Sequence, residues 1–211
     1  FLAASTSGSL GYTGYNHIPL FILGTLPSAT PAAVFTAMRG LTQPLQLVVR
    51  SMDIVDKNFF QTKGTMTEWD IRAKMLRQLG LYAAMSSVFV LGAVILGEWI
   101  IHIAYGEKYA HASDVLIGFA VWVMLLTVSF PIETVIVKKD RLNKYNYFRL
   151  FAGATGTIAA LILCEPYGAL GCIIACILGS TVSLAISVWI LRDIFFMKPD
   201  QNEPQKKASA E

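Results

Sequence analysis

This sequence of 211 residues has little charge: Asp, Glu, Lys and Arg make up 15% of it, against 55% apolar residues. A water-soluble domain of this size carries nearer a quarter. The deficit, with apolar residues in long runs rather than in alternation, excludes an ordinary soluble fold and points to an integral membrane protein. The net charge of only +3 gives no reason to expect a nucleic-acid partner. Cysteine is scarce as well. Cys164, Cys172 and Cys176 are the three present, and the last two lie one helical turn apart in an apolar run with no further ligands nearby. They read as small packing residues rather than a metal pair, and no cofactor is expected. No basic, apolar, small-residue signal pattern opens the chain, which starts at Phe1. The expectation is the C-terminal part of a longer membrane protein. Residues 198–211 lack apolar content and read as a disordered cytoplasmic tail after a 1–197 membrane lobe.

Apolar runs separated by short polar turns predict an all-α, polytopic bundle of six transmembrane helices. The expected spans are about Gly8–Leu26, Ala32–Asp56, Leu79–Ala104, Ala112–Val137, Tyr145–Leu163 and Ala169–Phe196. Residues 57–66 read as a polar connection, and Thr67-Glu68-Trp69-Asp70 as a capping-box-like helix start. Tyr105-Gly106-Glu107-Lys108-Tyr109 and Glu165-Pro166-Tyr167-Gly168 read as turns. Small residues at Gly153, Gly156, Ala160, Gly171, Ala175, Gly179 and Ser183 suit close helix packing. Basic residues alternate in a way that fixes orientation. Six fall between Arg50 and Arg77, five between Lys138 and Arg149, and four from Arg192 onward, whereas the intervening loops hold Lys108 alone. By the positive-inside rule both ends are cytoplasmic.

Against this apolar background one stretch stands out. Thr36, Arg39, Gln43, Gln46, Arg50 and Asp53 recur at helical period within one stripe of the second helix. Arg39 lies about 10 Å along from Ala32 and about 15 Å from Val49, at 1.5 Å per residue. In a spanning helix that places a guanidinium near the bilayer midplane, where a charge faces a bundle interior or a wet cavity. The competing reading is a structural arginine that pairs with carbonyls or an acid. Gly40 and Pro44 lie beside Arg39. Pro44 removes the hydrogen bond to the Gly40 carbonyl, which suits either a hinge or a static bend. Pro131 is a third candidate hinge. Asn16 and His17 precede Pro19 in the first helix, and His17 is a candidate proton site, a substrate contact or an ordinary interior histidine. Glu98 and His102, one turn apart, read as a surface pair. Glu133, about 7 Å from Lys138 along the axis, reads as wet.

The runs Ile22-Leu23-Gly24-Thr25-Leu26, Ala32–Leu41 and Pro44-Leu45 resemble the start of the C-terminal lobe of polysaccharide exporters. These are the O-antigen and exopolysaccharide flippases of the multidrug/oligosaccharidyl-lipid/polysaccharide superfamily. Ala104–Ala112 resembles that family's turn between its ninth and tenth helices, and Pro166–Gly171 its last turn. The resemblance covers about residues 10–195. It implies one lobe of a two-lobe transporter in the bacterial inner membrane, moving undecaprenyl-diphosphate-linked oligosaccharide to the periplasmic leaflet. It implies as partners the lipid-linked oligosaccharide, membrane lipid, an N-terminal lobe of the same transporter and components of a glycan polymerase. It also places Arg39 in the transport cavity; Gln43, Gln46 and Arg50 of the same stripe, with His17 and Asn16 of the first helix, are the other candidate substrate contacts. Members often carry an acid where this sequence has Asn16 and His17. The alternative is a cation-coupled multidrug exporter of the same superfamily, against which the basic character of the deepest charge counts. An enzyme of glycan assembly would want an acid–base set in a large loop. No loop here is long enough, so no enzymatic activity is expected.

Overall fold

The structure, a computed structural model, describes residues 2–62 and 66–196. The expectations for Lys63-Gly64-Thr65 and for the tail fall outside these residues. Among the described residues all regular structure is helical. Helix α1 (Leu2–Asn16) breaks at His17 and continues as α2 (Ile18–Gly24). The break falls where Pro19 enters the first turn of α2, a position that tolerates a missing N–H. Then come α3 (Thr30–Thr62), α4 (Glu68–Tyr105), a 3-10 turn (Glu107–Ala112), α5 (Ser113–Lys138), α6 (Leu142–Ile190) and the short α7 (Arg192–Phe195).

Several boundaries differ from the sequence reading. Helix α3 does not end near Asp56 but runs to Thr62. An Asp53–Lys57 ion pair one turn apart, at 2.5 Å, supports the added turn. The predicted sixth span to Phe196 is interrupted at Leu191. Gly106, with φ 75°, turns the chain after α4, but a 3-10 turn follows rather than a minimal reversal. The start of α4 is as predicted: the Thr67 hydroxyl accepts from the Asp70 N–H at 3.2 Å and donates to Asp70 Oδ2 at 2.7 Å.

Helix α6 reverses within itself. Pro166 and the left-handed Gly168 (φ 54°, ψ −128°) break it into two limbs. The limbs pack antiparallel: a Cβ on Gly171 would lie 1.9 Å from the Leu163 carbonyl oxygen, and one on Gly179 would lie 3.1 Å from that of Ala152. Helix α1 lies against the first limb with equal intimacy. A Cβ on Gly153 would sit 2.7 Å from the Gly11 carbonyl oxygen, and one on Gly14 would sit 2.6 Å from the Gly153 Cα. Only small residues permit backbones this close. The three cysteines are all buried in the α6 hairpin, and the Cys164 thiol points to the Pro19 carbonyl at 3.9 Å.

Two apolar clusters fill the interior. One contains Leu23, Phe35, Met38, Phe119, Trp122 and Ile173. The other contains Ile71, Met75, Ile136, Tyr145, Ile190 and Ile194. The second cluster lies at the end where the basic segments gather. There Lys139 pairs with Glu68, and Arg141 grips Asp193 through two bonds of 2.7 Å while donating to the Ile190 carbonyl at 2.8 Å. At the opposite end Gly168 lies beside Pro31, and the Tyr105 hydroxyl donates to the Ala37 carbonyl.

Three helices are long and apolar enough to cross a membrane by length and composition: α4, α5 and α6. Helix α4 turns Val88, Leu91, Val94, Ile95 and Trp99 outward, with Ile95 75% exposed. An outward apolar face of that extent fits a membrane-embedded protein. Helices α1 and α2, of 15 and 7 residues, are each too short for the criterion, and α3 is long enough but carries Arg39, Gln43, Gln46 and Arg50. Helices α1 and α3 contribute to the walls of both polar cavities.

Candidate functional site, two joined cavities

On α3 the core-facing stripe is Phe35, Met38, Thr42, Val49 and Asp53, all buried. Val48 and Val55, apolar though they are, are exposed. Arg39, Gln43, Gln46 and Arg50 flank the buried stripe and line a cavity of about 410 Å³ with Tyr12, His17 and Leu47. Five of the six site residues predicted from sequence therefore share one cavity. The sixth, Asn16, is buried in α1 and is not among the lining residues. Its side-chain amide has no hydrogen-bond partner among the described residues.

Arg39 has no carboxylate partner among the described residues. Its guanidinium lies over the Trp122 ring at 5.8 Å, and Trp122 is fixed by a 3.1 Å bond from its indole N–H to Ser180 Oγ. Thr42 donates to the Arg39 carbonyl at 2.9 Å, and the Gln46 amide donates to Thr42 Oγ1 at 3.2 Å. These bonds order the stripe without consuming the guanidinium donors. Helix α3 runs unbroken through Pro44, while Pro131 is buried within α5.

A second cavity, of about 240 Å³, lies against the first and shares Tyr12, Gln46 and Arg50 with it. Its further wall includes Glu133 of α5 and Arg149 of α6. Arg149 is the centre of a polar layer between the two apolar clusters. Its Nε and Nη2 donate to the Tyr15 hydroxyl at 3.2 and 2.7 Å, and Nη2 lies 3.5 Å from Glu133 Oε1. The guanidinium also stacks near the rings of Tyr12, Tyr15 and Tyr145 at 5.1–5.8 Å. Tyr145 donates to Glu133 at 2.8 Å and meets Ser183 Oγ at 3.1 Å. Asp53, expected on the cavity stripe, is instead in this interior layer. Thr134 donates to it at 3.4 Å, and Lys57 pairs with its other oxygen. Tyr82 donates to Asp56 at 2.7 Å and ties α4 to the same end of α3. The layer follows the rule that buried charges are paired and hydrogen-bonded.

Sequence reasoning counted Arg149 only as a basic-loop residue and took Glu133 as wet. Helix α6 begins at Leu142, so Arg149 is about 10 Å inside it at 1.5 Å per residue. The available signal was a run of tyrosines at helical spacing, Tyr12 with Tyr15 and Tyr145 with Arg149, which marks one face on each helix. Glu98 and His102 are both exposed, and the His102 ring nitrogen lies 3.9 Å from Glu107.

Chemically, two arginines without carboxylate partners among the described residues and two glutamines line one cavity, a donor set that suits an anion with several oxygen acceptors. Arg offers a planar fork for phosphate or carboxylate, and Gln donates to the remaining oxygens. Comparison with known proteins finds no matching family model, no matching curated protein and no matching solved structure.

Proposed function

We propose that this chain is one lobe of a polysaccharide-export transporter of the bacterial inner membrane, whose cavity holds the diphosphate of an undecaprenyl-linked oligosaccharide. In this reading six segments cross the bilayer: α1 with α2, α3, α4, α5 and the two limbs of α6. An N-terminal lobe of the same transporter would close the cavity's open side, and the sugar moves with its lipid carrier to the periplasmic leaflet. The observation that carries the reading is Arg39: a guanidinium in a polar cavity, held by a tryptophan face, with no carboxylate partner among the described residues. A purely structural arginine at this depth would be expected to have an acid or carbonyl partner. The alternative, a cation-coupled multidrug exporter, requires a free acid deep in the lobe. The interior acids Asp53 and Glu133 are instead engaged by Lys57 and Arg149.

The test is a substitution series at Arg39 in the intact transporter, with glycan export and membrane abundance measured together. Arg39→Lys keeps the charge but loses the fork and should retain part of the activity. Arg39→Ala should abolish export at normal abundance, and Arg39→Glu should be at least as severe. Full export from Arg39→Ala would overturn the reading.

A further inference from the structure

The cationic wall of α3 is longer than one diphosphate needs. Arg39 and Arg50 are eleven residues apart on the same face, so their Cα atoms lie about 16 Å apart along the axis. Helical side chains lean toward the N-terminus, so both arginines lean the same way and the separation persists at their guanidinium groups. One diphosphate cannot engage both. Arg39 belongs to the 410 Å³ cavity alone, whereas Arg50 also faces the 240 Å³ cavity, where Arg149 approaches from the opposite wall.

Arg149 is pre-organised to take an anion. Two of its nitrogens are anchored on one tyrosine hydroxyl, and three aromatic rings fix its plane. Its carboxylate partner is held loosely from its side: the shortest separation to Glu133 is 3.5 Å, while Glu133 has a tighter bond of 2.8 Å to Tyr145. Glu133 therefore has a second anchor if Arg149 turns its charge to another anion. Arg50 has no ion pair or hydrogen bond among the described residues.

We propose that the cavity bounded by Tyr12, Gln46, Arg50, Glu133 and Arg149 is a second phosphate-binding station, separate from the one at Arg39. Arg50 and Arg149 clamp the phosphate from α3 and α6, and Glu133 is the counter-charge that the arriving anion displaces from Arg149. Gln46 borders both cavities and gives the phosphate a donor on the way between them. The identity of the anion as a lipid diphosphate rests on the function proposed above. The existence of a second anion station does not.

Two probes separate these claims: inorganic pyrophosphate, and undecaprenyl diphosphate in lipid nanodiscs, each titrated against the intact transporter. Wild type should bind pyrophosphate at two sites. Arg39→Ala should lose one, Arg50→Gln the other, and the double variant both. The exposed Arg50 is a safe site to substitute, so loss of binding there is not loss of folding. Glu133→Gln removes the competing carboxylate and should tighten the second site by roughly tenfold, whereas a merely structural Arg149–Glu133 pair would leave it unchanged or weaker. A single site abolished by Arg39→Ala and indifferent to Arg50→Gln and Glu133→Gln would overturn the second station and leave the proposed function standing. Binding lost with Arg50→Gln but untouched by Arg39→Ala would do the reverse. Pyrophosphate binding without undecaprenyl diphosphate binding would assign the station to a free phosphate. No binding of either probe would overturn both.

Discussion

Replacing Gly153 by leucine tests how far close backbone contact holds α1 in place. An added Cβ would fall 2.7 Å from the Gly11 carbonyl oxygen and 2.8 Å from the Gly11 Cα. Neither is the end of a flexible side chain, so the helices must separate to admit it. Overpacking of this kind costs about 1–3 kcal/mol. Helix propensity pulls the other way, because a glycine in a helix interior is roughly 0.8–1 kcal/mol worse than alanine, and leucine ranks near alanine. The two effects have opposite signs, so the outcome decides between them. If packing governs, Gly153→Leu is destabilised by up to about 2 kcal/mol, and α1, which carries Tyr12 and Tyr15, shifts off the cavity. The exposed neighbour supplies the control: Ala154→Leu meets no packing partner and should be near neutral. Unfolding of the purified protein in mild detergent by a graded denaturant, followed by circular dichroism, reads both variants. A Gly153→Leu protein as stable as wild type, or more so, would refute the backbone-contact argument.

Further expectations follow from the same geometry. Thr67→Ala removes the N-cap of α4 and should cost about 1 kcal/mol, read in the same denaturation assay, with Thr67→Ser close to wild type. The Arg141 guanidinium holds the Asp193 carboxyl below the ordinary carboxylate range. A carboxyl lowered in the folded state contributes stability that is complete above its unfolded value and is lost as pH falls through its folded value. Asp193→Asn should therefore flatten the acid limb of a stability–pH profile; both groups are partly exposed, so the effect is small. For orientation, single cysteines in a background lacking the native three should react with an impermeant thiol reagent on intact cells at Glu107, Ser28 and Tyr167 but not at Asn143. Reaction at Asn143 with none at Glu107 would invert the topology.

The helical character, the Thr67 start and the Gly168 reversal were legible because each depends on local chemistry: apolar runs, a capping hydroxyl, and Pro166 followed by a left-handed glycine. The stripe from Arg39 to Arg50 was legible because its period is that of the helix carrying it. Its orientation was harder to see. Apolar Val48 and Val55 face outward in α3, so apolarity did not mark the buried side. The pairing within the Arg149 layer was hidden for a different reason. Its bonds join Tyr15 to Arg149 across 134 residues, and Asp53 to Thr134 across 81. Nothing in either segment's own period announces the partner. The extension of α3 to Thr62 was missed because Asp53 and Lys57 look like loop charges until paired on one helical face.

The central claim is that Arg39 makes this lobe a receptor for a diphosphate carried on a lipid. It is tested most directly by native mass spectrometry of the intact transporter with three lipids of equal chain length: undecaprenol, undecaprenyl phosphate and undecaprenyl diphosphate. The account predicts that wild type prefers the diphosphate by at least roughly tenfold over the alcohol, that Arg39→Ala, still binding the chain, loses the part of that preference due to Arg39, and that adding Arg50→Gln removes the rest. Equal binding of all three lipids by wild type, or an undiminished preference in Arg39→Ala, would contradict it.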